Sequence, residues 1–389
     1  MLQTNRVDRF TARFGLTAFD LLVISVIAVL VGVISVTAVF GIADPVERVA
    51  YLQLDDRRMY EVWIANPENL DDARQVTQTE FGVWDYDVSR DGRYIVYSER
   101  DFATGSAELY LIDLATDQTR QITTCRTQDA DCYAPKFSPD GRYIAYERTA
   151  LNSDLGGVGP GAPRIWLIDT TADPPTTFPL IDTGEGIGTG ATWSANGERI
   201  AFYDNSLGGI VVYAVVPPDD DGENRVDFIP SQTGLWAIAP DGEAVIYPEV
   251  LQQRGYLQIY DLEADRSEIV TDPNAPVDDQ YTAWSPDGQY VAIARRQLGE
   301  NAARGAQIYL LDTTDNLVTP LLVDLRYTHG FFQWNVDSNR LTMHRFRQLD
   351  AEGNPYGQGT QEVWMYDLET RRLTRIAEQA RNPLWLAPR

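Results

Sequence analysis

The sequence is poor in the groups on which most protein chemistry depends. Of 389 residues only two are histidine, two are cysteine and one, Lys136, is lysine, while the formal net charge is −25 at pH 7. No basic stripe with interleaved aromatics is present to meet a phosphate backbone, so nucleic acid is not expected as a partner. No strand-to-helix elbow presents a serine, and the two histidines, His329 and His344, read as structural groups, so Ser-His-Asp hydrolysis is not expected either. The two cysteines, Cys125 and Cys132, have no histidine nearby in sequence and are too few for a zinc site. Between residues 44 and 389 no 3.6-residue apolar period is sustained, which argues against helical repeats.

What is present is a recurring cassette. Ser138-Pro139-Asp140-Gly141 leads into Arg142-Tyr143-Ile144-Ala145-Tyr146, and Ser285-Pro286-Asp287-Gly288 into Gln289-Tyr290-Val291-Ala292-Ile293. Weaker copies stand at Ser89–Gly92, Ser194–Gly197 and Ala239–Gly242. Proline presets φ, aspartate bonds nearby backbone and glycine accepts a positive φ, so each cassette is the corner of a hairpin. An apolar marker precedes each corner, at Val88, Phe137, Trp193, Ile238, Trp284 and Trp334. A β-branched and aromatic run follows, suited to a buried pleated surface. A third strand ends in aspartate, as in Leu109–Asp113, Ile165–Asp169, Ile308–Asp312 and Val363–Asp367, and a fourth, more polar run such as Arg120–Thr123 suits an exposed edge. Four strands per repeat at this spacing make a propeller blade.

The first blade, at Val49–Leu52, Val62–Asn66 and Arg74–Thr77, lacks an inner strand, and the tail Leu384–Arg389 resembles Trp236–Asp241 and stops where a corner would begin. The C-terminus is therefore expected to complete the first blade and close a seven-bladed ring; Asn335–Ser338 replaces the cassette in the last complete blade, and a merged blade there would leave six. The corners, the Tyr/Ile runs and the Ile-Tyr-x-x-Asp strands resemble the WD40-like (PD40) repeats of TolB-type β-propellers over about residues 45 to 389. The resemblance implies an all-β propeller; on function it is less specific, because such blades serve scaffolds, binding modules and the propeller domains of peptidases.

Leu21 to Ala43 is an uncharged run rich in valine, isoleucine and leucine, long enough as a helix to span a bilayer. Arg6, Arg9 and Arg13 precede it while Asp44 and Glu47 follow, which places the N-terminus in the cytoplasm and the propeller outside, in the periplasm or at the cell surface. The expected organisation is a cytoplasmic segment 1–20, a transmembrane helix 21–43 and a propeller 44–389; a cleaved signal peptide ending near Ala43 is the rival reading. A disulfide between Cys125 and Cys132 suits that compartment. Both chain ends fall on the cassette face, which is expected near the membrane. The longer loops Leu151–Pro163, Gln297–Gln307 and Gln348–Gln361 collect on the distal face, where protein partners are expected to dock.

A metal-dependent hydrolase or lactonase in the central channel would need converging carboxylates. The residues just before each marker read Asp87, Lys136, Thr192, Ala237, Ala283, Gln333 and Trp385, with Asp85 beside Asp87, which makes no metal cage. Asp219–Gly222 reads as a charged hairpin tip rather than a calcium loop, and Gly184–Gly190 as a connector rather than a nucleotide fingerprint. The chain thus reads as a membrane-anchored interaction or envelope scaffold module, not an enzyme, with no cofactor, metal or catalytic residue. The alternatives are the channel hydrolase and a binder or sensor of a small extracellular ligand.

Overall fold

The computed structural model describes residues 46–154, 158–181, 186–215, 224–299, 302–356 and 359–388. The apolar run 21–43, the Asp219–Gly222 tip and the start of the Gly184–Gly190 connector lie outside them. Among the described residues no helix is long and apolar enough to cross a membrane, and a 3-10 turn is formed by Arg126–Gln128.

Residues Glu47–Arg389 form one unit, in which the strands make seven four-stranded antiparallel sheets. In blades 2 to 7 the inner strands are Val83–Val88, Ala130–Phe137, Thr189–Trp193, Ala237–Ile238, Val277–Trp284 and Tyr327–Trp334, each ending on its apolar marker. The corners follow from side-chain chemistry. Ser138 Oγ donates to Asp140 at 2.6 Å and accepts the Tyr143 amide at 2.8 Å, the Arg142 amide donates to the same Asp140 oxygen, and Gly141 takes φ 72°. Blade 7 has no such Ser-Asp pair, yet its corner forms because Asn335 Oδ1 alone accepts the Asn339 and Arg340 amides at 3.1 and 2.8 Å. The freed Asn335 amide donates to both carboxylate oxygens of Glu47 at 3.2 Å, so the chain enters the ring on the cassette face.

The second and third strands carry the core, which lies between successive blades: Val96 and Leu109 of blade 2 pack on Ile144 and Tyr146 of blade 3. Val363 and Met365 of blade 7 pack likewise on Val49 and Tyr51 of blade 1. Burying each such side chain is worth roughly 1.5–3 kcal/mol, so stability is spread around the ring. Outer strands such as Gln118–Gln121 and Arg266–Ile269 are exposed along their length.

Blade 1 is ordered Ala380–Leu386, Arg48–Leu54, Tyr60–Asn66, Asn69–Gln75, so the C-terminal strand does supply its inner strand. The register differs by one residue from the expected alignment. Trp385 pairs with Val49, the place that Trp334 takes opposite Leu341 and Trp284 opposite Val291. Trp385 is therefore the marker, and Leu384 rather than Trp385 is the residue before it. Indole hydrogen bonds explain why the shift wins. Trp193, Trp284, Trp334 and Trp385 each donate Nε1 to the carbonyl of Lys136, Ala237, Ala283 and Gln333, the residue before the marker one blade back, at 3.0–3.2 Å. Only the Trp385 register continues that chain of blade-to-blade contacts into blade 1.

Candidate functional site

The inner strands converge on a channel that opens on the cassette face as a cavity of about 710 Å³ lined by residues of all seven blades. Its two sides differ in chemistry. On the side of blades 2 and 3 it is lined by Asp87, Arg90 and Lys136, and the same two blades hold the buried carboxylates Asp85 and Glu147. Lys136 Nζ stands 3.6 Å from Asp87, whose other oxygen accepts the Phe137 amide at 2.8 Å. Asp85 accepts the Ala134 amide at 2.8 Å and the Ser98 hydroxyl. Glu147 accepts the Gly190 amide at 2.7 Å. Burial outweighs these partners and raises all three carboxyls above their usual range, Glu147 to about 7. Apart from Glu47, which is paired with Arg340, blades 5 to 7 and blade 1 supply aromatic and neutral groups instead, among them Trp236, Tyr281, Trp284, Phe331, Gln333 and Trp385.

The inner strands are bulged near their middle. Pairing shifts between Tyr133 and Lys136, Asp279 and Thr282, and Gly330 and Gln333. Ala134, Phe331 and Asn382 take φ between 51° and 53° at such places. A left-handed phenylalanine is uncommon. Phe331 is 46% exposed, turned into the channel and stacked on Tyr281 at 5.9 Å.

The sequence-derived candidates fall as follows. Cys125 and Cys132 are joined by a disulfide, and Cys132 lies within the inner strand of blade 3 rather than in the connection before it. The bridge thus ties that connection to the strand it feeds. His329 Nδ1 lies 3.0 Å from the Ala306 carbonyl, and His344 packs on the Phe331 ring at 5.0 Å. Burial, helped by Arg345 beside the first and Arg381 beside the second, lowers both imidazoles to about 4. Neither His329 Nε2 nor His344 Nδ1 has a hydrogen-bond partner, so no hydroxyl or thiol is poised against those atoms. Among the described residues no three His, Cys, Asp or Glu side chains are grouped as a metal ion requires.

Sequence reasoning missed a set of buried polar anchors. Glu61 accepts Thr77 Oγ1 at 2.6 Å and both donors of Thr79, and Glu108 accepts Thr123 Oγ1 at 2.6 Å and the Cys125 and Arg126 amides. Gln307 accepts the Asp324 amide at 2.7 Å and donates to the Tyr327 carbonyl. Each holds the connection from its own blade to the next. The signal was present as Glu61-Val62-Trp63, Glu108-Leu109-Tyr110 and Gln307-Ile308-Tyr309, a polar residue repeated in phase near the start of the third strand.

The distal face carries the second candidate surface. Strand polarity puts there the hairpins between second and third strands and the connections from one blade to the next. Among the described residues its rim holds Trp84, Phe102, Val158, Leu207, Leu251 and Leu325, all exposed, whereas the hairpins and corners of the cassette face expose fewer of this kind, Leu70, Val226, Leu317 and Val336. Trp84 meets Phe102 edge-on at 6.2 Å, with the Arg100 guanidinium 5.5 Å from the Trp84 ring.

Residues 44–324 match the family model described as the TolB beta propeller domain. The Tol-Pal system protein TolB of Francisella tularensis subsp. mediasiatica is 33% identical over 97 residues, which is 25% of this chain and 21% of that protein. The chain therefore spans about a fifth of that curated relative. Among solved structures, a Mycobacterium tuberculosis puromycin-hydrolyzing peptidase is similar with a TM-score of 0.61 at 11% identity, over 85% of this chain and 53% of that one. The β-propeller domain of the Trilobed protease from Pyrococcus furiosus is similar with a TM-score of 0.55 at 13% identity, over 85% and 91%. These likenesses show the fold. They also overturn the expectation that the chain is no enzyme: a peptidase and a protease carry this same propeller, so the architecture from which that expectation was drawn does not separate enzymes from other proteins.

Proposed function

Because the chain belongs to the TolB beta propeller domain family, we propose that it is a protein-docking propeller displayed outside the cytoplasm by a membrane anchor at residues 21–43, with 1–20 inside and 44–389 outside, and that partners bind its distal rim. The observation that carries this reading is the concentration of exposed apolar side chains, with the two exposed aromatics Trp84 and Phe102 in contact, on the distal rim. Phe102, Val158 and Leu207 are each about two-thirds exposed, and a tryptophan flanked by an arginine is the composition on which interface energy concentrates. Arg6, Arg9 and Arg13 ahead of the apolar run and the Cys125–Cys132 bridge support the compartment. The name of the Tol-Pal relative supports work within a protein assembly.

Crosslinking in intact cells tests the reading. The wild-type chain is expected in the alkali-washed membrane fraction, open to external protease after residue 44, and crosslinked to a discrete protein. The double variant Trp84→Asp/Phe102→Asp is expected to keep its melting temperature and lose that product by at least about tenfold, the effect of losing roughly 1.4 kcal/mol or more at a hot spot. An undiminished product would move the docking site elsewhere, and release into the soluble fraction would remove the anchor.

A further inference from the structure

The cassette-face channel holds polar atoms that the fold does not use. Thr282 is 4% exposed and lines the cavity, yet its Oγ1 has no hydrogen-bond partner, and the same is true of the buried Nε1 of Trp236 in the neighbouring blade. A buried polar group left without its bond weakens the fold unless something supplies the partner. Every other tryptophan of the channel wall spends its Nε1 on the preceding blade. Trp236 is instead stacked on Tyr203 at 6.3 Å, and only the missing Cβ of Gly190, which would lie 3.0 Å from the indole, leaves room for it. Among the described residues the side-chain amide of Gln333, in the same sector, makes no hydrogen bond. Around these groups stand Tyr281 and the exposed Phe331.

Of the ionisable groups lining the cavity, Asp87 is matched with Lys136 at 3.6 Å and Glu47 with Arg340 at 3.8 Å, while Arg90, on the blade 2 side away from the aromatic sector, donates to the Ala195 carbonyl at 3.0 Å. A charged ligand would find no free counterion in the aromatic sector and would be desolvated there at a cost. An extended peptide added as a strand needs a straight free edge, and the inner strands of blades 6 and 7 are interrupted by bulges at 279–282 and 330–333. A neutral sugar has what the site asks for: an apolar C–H face for the aromatic rings, and hydroxyls that both donate and accept for Trp236, Thr282 and Gln333.

We propose that the sector of the channel between blades 5 and 7 is a binding site for a neutral oligosaccharide, distinct from the distal docking rim. The test uses the full-length chain in detergent, titrated with chitotetraose, cellotetraose and maltotetraose and followed by calorimetry and tryptophan fluorescence. At least one of them is expected to bind saturably. Thr282→Val and Trp236→Phe, which keep shape but remove one hydrogen-bonding group each, are expected to weaken it about fivefold apiece, the effect of one neutral hydrogen bond. Phe331→Ala, at an exposed position, is expected to weaken it too, and unaltered melting temperatures certify the fold. Binding of none of the three sugars overturns the proposal, as does equal affinity in both isosteric variants, or binding of an uncharged tetrapeptide with no sugar bound. Crosslinking to the distal-rim partner is expected to persist in Thr282→Val, so that the two sites fail or stand independently.

Discussion

At the scale of single residues, burial decides what the acidic groups of blades 2 and 3 do. Glu147 is 4% exposed and keeps the Gly190 amide as a partner, but desolvation holds its carboxyl near 7 against 4.5 for an ordinary glutamate. Between those values the folded chain binds more proton than the unfolded one, so this group's contribution to stability falls as pH rises through that window. His329 and His344 act the other way. Held near 4 instead of 6.5, they withdraw stability as pH falls from 6.5 towards 4. Glu147→Gln retains an acceptor for Gly190 and removes the charge. The variant is expected to match wild type at pH 5 and exceed it by roughly 1–3 kcal/mol at pH 8, read by calorimetry across that range. A constant difference over the range would show that Glu147 does not titrate there. This carboxylate was not legible in the sequence, because Glu147 differs from dozens of surface acids only in what covers it.

At the scale of the element, the hairpin corner is the repeated unit, and its glycines are not equivalent. Gly92 and Gly141 both take positive φ, 66° and 72°. A Cβ on Gly141 would meet nothing within 4 Å, whereas one on Gly92 would lie 2.7 Å from the Ala387 carbonyl oxygen of the C-terminal tail. Alanine at 141 is expected to cost about 1–2 kcal/mol for the left-handed backbone, and alanine at 92 at least about 1 kcal/mol more, since the tail must also give way. Paired denaturant titrations would show it, and equal losses would mean the tail yields freely. The corners themselves were readable from Ser-Pro-Asp-Gly, because the bonds that make them join residues two to five apart. The altered corner at Asn335 was readable only as a departure, since its amide is completed by Glu47, 288 residues away.

At the scale of the whole molecule, the ring is held by a strand from the far end of the chain. Removal of residues 380–389 would leave Arg48–Leu54 as an open edge and strip Val49, Ala50 and Leu52, each fully buried, of part of their cover. The truncated chain is expected to melt about 10 °C or more below the intact one and to self-associate. Addition of the ten-residue peptide is expected to restore much of the loss, and size-exclusion chromatography with calorimetry reads both. An unchanged melting temperature would mean that the ring closes without the inner strand of blade 1.

Much of this architecture was written locally. Turn chemistry, alternation within strands and an aspartate at the end of the third strand all act over a few residues, so blade number, strand order and the closing tail could be read along the chain before any coordinates. Other features depend on distances that sequence does not carry. The one-residue register of the tail turned on an indole reaching Gln333, 52 positions back. The unspent Thr282 hydroxyl, the raised Glu147 and the apolar distal rim each arise from what other blades leave covered or bare. Local bonds made the blades; burial, which is a property of the closed ring, chose which side chains were left available to bind.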